Sequence, residues 1–180
     1  MMQGLAVHGQ LREAVALVSE LKSYGLSPDN VTFIAVLTAY GHSGMPDEAK
    51  AAFASMANVA PGIEHYGCLV DALARAGRLQ EAEDVIRAMP MAPDAAIWGA
   101  LLSGCRLHGD AVLGARAARE AVRCDPRDSG AYVLAASVLA QEGDAGAGAG
   151  VRGQMREAGV GKVPGCSMIE VNGVVHEFVS

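Results

Sequence analysis

The sequence predicts an all-α protein: a right-handed superhelical α-solenoid of helix-turn-helix repeats, followed by a short C-terminal β-hairpin. Three observations predict it. Glycines at 9, 44, 77, 109 and 143 each stand where a first helix should end, with gaps of 35, 33, 32 and 34 residues. Eleven residues before the last four of them stands an aromatic: Phe33, Tyr66, Trp98 or Tyr132. Prolines at 28, 61, 93 and 126 mark the unit ends, and Glu13-Ala14, Glu48-Ala49 and Glu81-Ala82 follow the first three glycines at one spacing. A helical hairpin cannot bury its apolar stripes alone, so a period of about 33 residues means hairpins stacked in file.

Taken in order, residues 1–30 read as the remnant of a first unit. Ala14, Leu17, Val18 and Leu21 stripe its second helix, and Ser27-Pro28-Asp29-Asn30 turns into the next unit. The second unit is 31–63. Its first helix, VTFIAVLTAYGHS, carries no charge, so both faces must find shelter or a ligand. Its second helix packs through Ala49, Ala52, Phe53 and Met56.

The third unit, 64–95, has the clearest pattern. Tyr66, Leu69, Val70 and Leu73 fall at i, i+3, i+4 and i+7, and Ala82, Val85, Ile86 and Met89 repeat that spacing. Each set makes one apolar stripe. Gly77 suits a turn at positive φ, and Pro90 closes the second helix. The fourth unit, 96–129, places Trp98, Leu101, Leu102 and Cys105 on its first helix and Arg116, Arg119, Arg123 and Arg127 on its second.

A fifth unit, 130–161, begins with Tyr132, Leu134, Val138 and Leu139 but continues GDAGAGAGVRGQM. Each glycine costs a helix roughly 1 kcal/mol, so this helix is expected to be frayed, shortened or marginal. Residues 162–180 alternate apolar and polar, and Asn172-Gly173 between two β-prone runs predicts a hairpin. A lone two-stranded hairpin is marginal in water, so it is expected to pack on the last repeat or on something absent.

Composition narrows the function classes. Half the residues (51%) are hydrophobic but 4% are aromatic, which suits close-packed helices of small residues. No apolar run reaches the ~18 residues of a membrane span. Net charge is −6 and the pI about 5.3, against a generic polyanion binder. Any nucleic-acid site must be local or must lie upstream. Cysteines 68, 105, 124 and 166 form no CxxC and follow the repeats, so a reducing compartment is expected, with Cys105 and Cys124 as buried small hydrophobes. The start, MMQGLAVHGQ, lacks a basic region and a signal core. The chain is therefore expected to be a C-terminal piece of a longer protein or a truncated gene product, with the targeting peptide not present in it.

Motifs for stand-alone catalysis do not assemble. Gly148 to Gly153 match GxGxxG, but a helix rather than a strand precedes them, so no dinucleotide cofactor is implied. Histidines 8, 42 and 108 recur at the repeat turns and read as structural or solvated turn residues. His176-Glu177 has no CxxC after it, so the zinc-deaminase set is missing. No enzyme, cofactor, metal, membrane or small-molecule substrate is expected. Met45, Met56, Met89 and Met91 read as core and edge filling.

At this point the residues resemble a known family, the plant pentatricopeptide repeat (PPR) proteins of the variable-length-repeat class. EHYGCLVDALARAGRLQEAEDVIRAMPMAPDAAIWGALLSGCRLHGD is similar to the family's late short repeat and first extension motif. KVPGCSMIEVNGVVHEF is similar to the end of its second extension motif. Met168 stands where the family usually has tryptophan, and the Gly/Ala run replaces a charged, aromatic-containing helix. The resemblance implies PPR repeats over 1–95, the first truncated, tetratricopeptide-like extension motifs over 96–161, and a hairpin tail over 162–180. Nothing follows Ser180, so the deaminase domain of some members is not expected.

The resemblance also implies a function: binding of single-stranded organellar RNA, in mitochondrion or chloroplast, one base per repeat. The family's reading residues are the fifth and last of each repeat. Carried over, these are Asn30, then Ala35 and Ile63, then Cys68 and Ala95. Only Asn30 is a competent base-edge partner. The family's extension motifs are associated with C-to-U editing, through an editing partner protein or a deaminase supplied in trans, so this stretch reads as more platform than base reader. Arg116, Arg119, Arg123 and Arg127 are candidates for a phosphate or acidic-partner contact. They also fit a solvated face partly neutralised by Glu120, Asp125 and Asp128. The competing function is a protein-binding helical-repeat adaptor that touches no RNA, favoured by the acidic charge and the apolar reading positions.

Overall fold

The structure, a computed structural model, describes residues 28–56, 59–141, 145–161, 166–171 and 174–179. The expectations for the first unit's second helix, His8, Gly9, Gly143 and Asn172-Gly173 lie outside these residues. Among the described residues eight helices follow in order: α1 (Asn30–His42), α2 (Pro46–Ala54), α3 (Ile63–Arg75), α4 (Leu79–Ala88), α5 (Ala95–His108), α6 (Ala111–Cys124), α7 (Ser129–Gln141) and α8 (Ala145–Glu157). Two strands come after them, β1 (Cys166–Val171) and β2 (Val174–Val179).

The hairpins start and stop for local reasons. Asp29, Asp94 and Asp110 precede α1, α5 and α6, and their carboxylates accept from the N–H groups of Thr32 (2.8 Å), Ile97 (2.9 Å) and Leu113 (2.9 Å). Each satisfies an otherwise unpaired helix-start donor. Gly44, Gly77 and Gly109 have φ of 68°, 78° and 75°, so the glycine period is a period of left-handed turns.

The helices form two layers. The first helices α1, α3, α5 and α7 lie side by side in sequence. Each second helix packs on its own partner, and α2, α4 and α6 also pack on the first helix of the next unit. Close approach within the first layer requires small residues. A methyl added to Gly104 would lie 2.6 Å from Ala74 Cβ and 2.8 Å from the Ala74 carbonyl oxygen. Leu37, Leu73, Leu101, Leu102 and Val138 are buried in one core that runs through the units. Burial of such a side chain contributes roughly 1.5–3 kcal/mol, and here it is obtained both within and between units. Phe53 of α2 meets Tyr66 of α3 edge to face, with ring centroids 4.9 Å apart.

The second helices are linked by long charged side chains. Asp47 of α2 pairs with Arg78 at the start of α4, and Lys50 Nζ lies 2.8 Å from Glu81 Oε2. One unit on, the nearly buried Glu83 of α4 accepts from Arg87 (2.8 Å) and from Arg116 of α6 (3.1 Å). Arg78 and Lys50 together hold the Glu81 carboxyl down at about 2, with the Arg78 hydrogen bond the larger cause.

Several expectations need correction. The Gly/Ala helix is a full 13-residue helix, Ala145–Glu157. Gly148 and Met155 are buried in it, and a methyl at Gly148 would come within 3.0 Å of the Ala136 carbonyl of α7. Packing on α7 overrides poor propensity. Cys105 is buried, but Cys124 is exposed at the last residue of α6, beyond the final buried position, Ala121. The strands pair antiparallel, from Val171 opposite Val174 to Cys166 opposite Val179. Among the described residues neither strand packs on a helix, and Met168, Ile169 and Val175 are exposed. No described helix is long and apolar enough to cross a membrane.

Candidate nucleic-acid interface

The first-helix layer leaves a groove between α3 and α5. On α3, Ile63, Gly67 and Asp71 recur every four residues, one face of a 3.6-residue helix, with Glu64 and Cys68 beside them. On α5, Ala96 and Ala100 recur likewise. The space between has a volume of about 380 Å³ and is also lined by Thr38, Asp94 and Ile97. Its floor is aliphatic. Its charged lining is wholly acidic: Glu64, Asp71 and Asp94, without a lysine or arginine.

Most of these polar groups have structural partners. Asp71 pairs with Arg75 one turn on, at 2.7 Å, and Asp94 caps α5. Thr38 Oγ1 and Cys68 Sγ are 3.5 Å apart across α1 and α3. Burial pushes the Cys68 thiol up, which keeps it neutral and unreactive at neutral pH. Among the described residues no group of three His, Cys, Asp or Glu could hold a metal.

The groove gathers some of the candidate reading residues and not others. Ile63 and Cys68 both line it, and Ala95 stands at the start of α5 between the lining residues Asp94 and Ala96. Asn30 is exposed as the first residue of α1, outside the groove lining. Ala35 is corrected: it is 1% exposed and packed inside, so it cannot meet a base. The groove stripe of α3 runs through Gly67, one residue before Cys68, and through Asp71.

Counting along the repeats missed Thr38, Glu64, Asp71 and Asp94. The repeated Pro28-Asp29 and Pro93-Asp94 pairs were a usable signal, since both aspartates cap first helices. His65 was also missed. It is buried, its Nδ1 accepts from the Gly62 N–H at 3.1 Å, and its Nε2 donates to the Asn30 carbonyl at 3.0 Å. One imidazole thus caps α3 and ties it to the start of α1. His108 repeats the tie at the other end, its Nε2 donating to the Arg75 carbonyl at 2.9 Å.

Arg116, Arg119 and Arg123 share one face of α6 at i, i+3 and i+7, but Arg127 does not. Arg116 is held by Glu83, and Arg123 lies 3.1 Å from Glu120. Arg127 lies beyond α6, which ends at Cys124 because Pro126 disfavours helical backbone before it. Arg119 is exposed and has no ion-pair partner among the described residues.

With this geometry in place, residues 1–26, 31–58 and 64–92 match the PPR repeat family, and residues 108–170 match the E motif family. The chain belongs to the pentatricopeptide repeat family. A mitochondrial PPR-containing protein of Arabidopsis thaliana, At2g22410, is 44% identical over 179 residues, which is 98% of this chain and 26% of that protein. The chloroplastic PPR-containing protein At1g08070 of the same plant is 39% identical over 182 residues, 99% of this chain and 25% of that one. The crystal structure of PPR10 in complex with an 18-nt psaJ RNA element matches with a TM-score of 0.73 at 19% identity, over 88% of this chain and 25% of that one. This last likeness shows a shared solenoid fold. The PPR chain described here spans about a quarter of the length of these relatives. Over that span it is a repeat scaffold.

Proposed function

We propose that this PPR chain is part of an organellar single-stranded RNA-binding factor for RNA processing, acting in C-to-U editing as a platform that recruits an editing partner protein or a deaminase in trans. The observation that carries the reading is the groove between successive first helices, in a chain whose repeats and E motif match the PPR family. PPR10, of the same fold, is named as an RNA complex. The relatives' names include both a mitochondrial and a chloroplastic protein, and either organelle suits the reading.

The groove chemistry sets the division of labour. Glu64, Asp71 and Asp94 repel phosphates, while the small aliphatic floor admits the flat face of a base. Little affinity should therefore come from counterion release, which dominates cationic RNA sites. A gel-shift titration of single-stranded RNA over a salt series tests this. The expected result is weak binding by this chain with a shallow salt slope, and strong binding once upstream repeats are joined to it. If the joined protein fails to retard RNA at low salt, the reading is wrong. The second reading, a protein-binding adaptor without RNA contact, is favoured by the acidic lining and would then stand.

A further inference from the structure

The seams between second helices are not alike. At α2/α4 the partners Asp47–Arg78 and Lys50–Glu81 are 31 residues apart, and at α4/α6 the Glu83–Arg116 pair is 33 apart. At α6/α8 the series stops among the described residues. Those two offsets carry Arg119 to positions 150–152, which hold Gly150, Val151 and Arg152 and no carboxylate. A methyl at Gly150 would meet nothing within 4 Å. In place of an ion pair lies an open cavity of about 370 Å³. Tyr132 and Leu139 of α7, Val122 of α6 and Val151 of α8 line it, together with the exposed Arg119 and Gln154.

We propose that this seam is a docking groove for an amphipathic helix of a partner protein, one carrying a carboxylate among its apolar side chains. The inference gives the platform reading its contact surface and rests on that reading for the role of the contact. The cavity falls within the ~300–1,000 Å³ range of sites that enclose a compact ligand. On α6 its wall runs from Ala115 to Val122, about 10 Å at roughly 1.5 Å per residue, which matches the i, i+3, i+7 face of a docking helix. The small residues of α8 let a helix axis approach to roughly 8–10 Å.

Charge selects the partner. Arg119 has no ion-pair partner among the described residues, while its neighbours Arg116 and Arg123 are already engaged, and a guanidinium takes a carboxylate in two hydrogen bonds. Carboxylates outnumber cations over residues 28–94, which repels an acidic helix there, whereas the two are balanced over 95–161. RNA fits less well. A phosphate track needs a row of free cations, whereas this lining carries one cation, Arg119, among mainly aliphatic side chains.

The test is fluorescence anisotropy of a labelled designed helix, with leucines at i, i+3 and i+7 and glutamate at i+4, titrated with the 180-residue chain. The expected result is saturable binding, weakened about tenfold or more by Arg119→Glu and by Gly150→Trp, with helical circular dichroism unchanged. Replacing the peptide glutamate by lysine should restore binding to Arg119→Glu. No binding, equal binding to both variants, no charge-swap rescue, or displacement of the peptide by single-stranded RNA would each overturn the proposal. RNA retardation of the joined protein is read separately, so a failure here and a failure of the RNA reading are distinguishable.

Discussion

From α1 to α6 the second helices are tied to one another by ion pairs, whereas from α6 to α8, among the described residues, they are not. In the first region Asp47–Arg78, Lys50–Glu81 and Glu83–Arg116 cross each seam in turn. In the second, Arg119, without an ion-pair partner among the described residues, lines an open cavity with Val151 and Gln154 of α8. Both regions keep the same hairpin architecture. The difference teaches that the first-helix layer and the hairpin contacts suffice to build the fold, while side chains on the second helices decide whether a seam is closed or left for another chain.

The same substitution should act in opposite directions in the two regions. Gly104→Ala forces a methyl to within 2.6 Å of Ala74 Cβ, in a layer whose backbones cannot part without moving a whole unit. A loss near the top of the roughly 1–3 kcal/mol seen for overpacking is expected, read as a lowered midpoint in urea. The next largest effect is expected from His65→Ala, which leaves the Gly62 N–H and the Asn30 carbonyl without their partner. About 2 kcal/mol should be lost in the same denaturation assay, with partial recovery in His65→Gln.

In the open region, Gly150→Ala places its methyl in empty space within a helix. It should stabilise by roughly 0.5–1 kcal/mol, read as a raised thermal midpoint. A decrease there would mean that α8 is closed by packing not seen in its surroundings. The smallest effect concerns pH. Glu81 has its carboxyl lowered to about 2 by Arg78 and Lys50, so its contribution is present above the unfolded value near 4.5. It is lost as pH falls from about 4.5 through 2, and Glu81→Gln should flatten that limb of a stability-against-pH curve.

The repeat was legible because its signals are local. A left-handed turn calls for glycine, and a stripe such as Tyr66, Leu69, Val70 and Leu73 shows its own phase. The candidate site was less legible. Helix α1 is apolar on every side, so its pattern carries no phase, and counting placed Ala35 at a face that the packing buries. His65 acts on a carbonyl 35 residues away, a contact without a sequence period. Helix α8 was misjudged because propensity sees glycines at 146, 148 and 150 but not the fit of Gly148 against Ala136. The end of α6 was readable from Pro126 and removes Arg127 from the helix.

Hydrogen exchange measured along the whole chain tests most directly whether the two regions are joined differently. Amides of α3 to α6, in units tied on both layers, should open together and exchange slowly. Those of α8, which among the described residues packs on α7 alone, should exchange about tenfold faster or more. Equal protection of α8 and α4, or slower exchange in α8, would contradict the account.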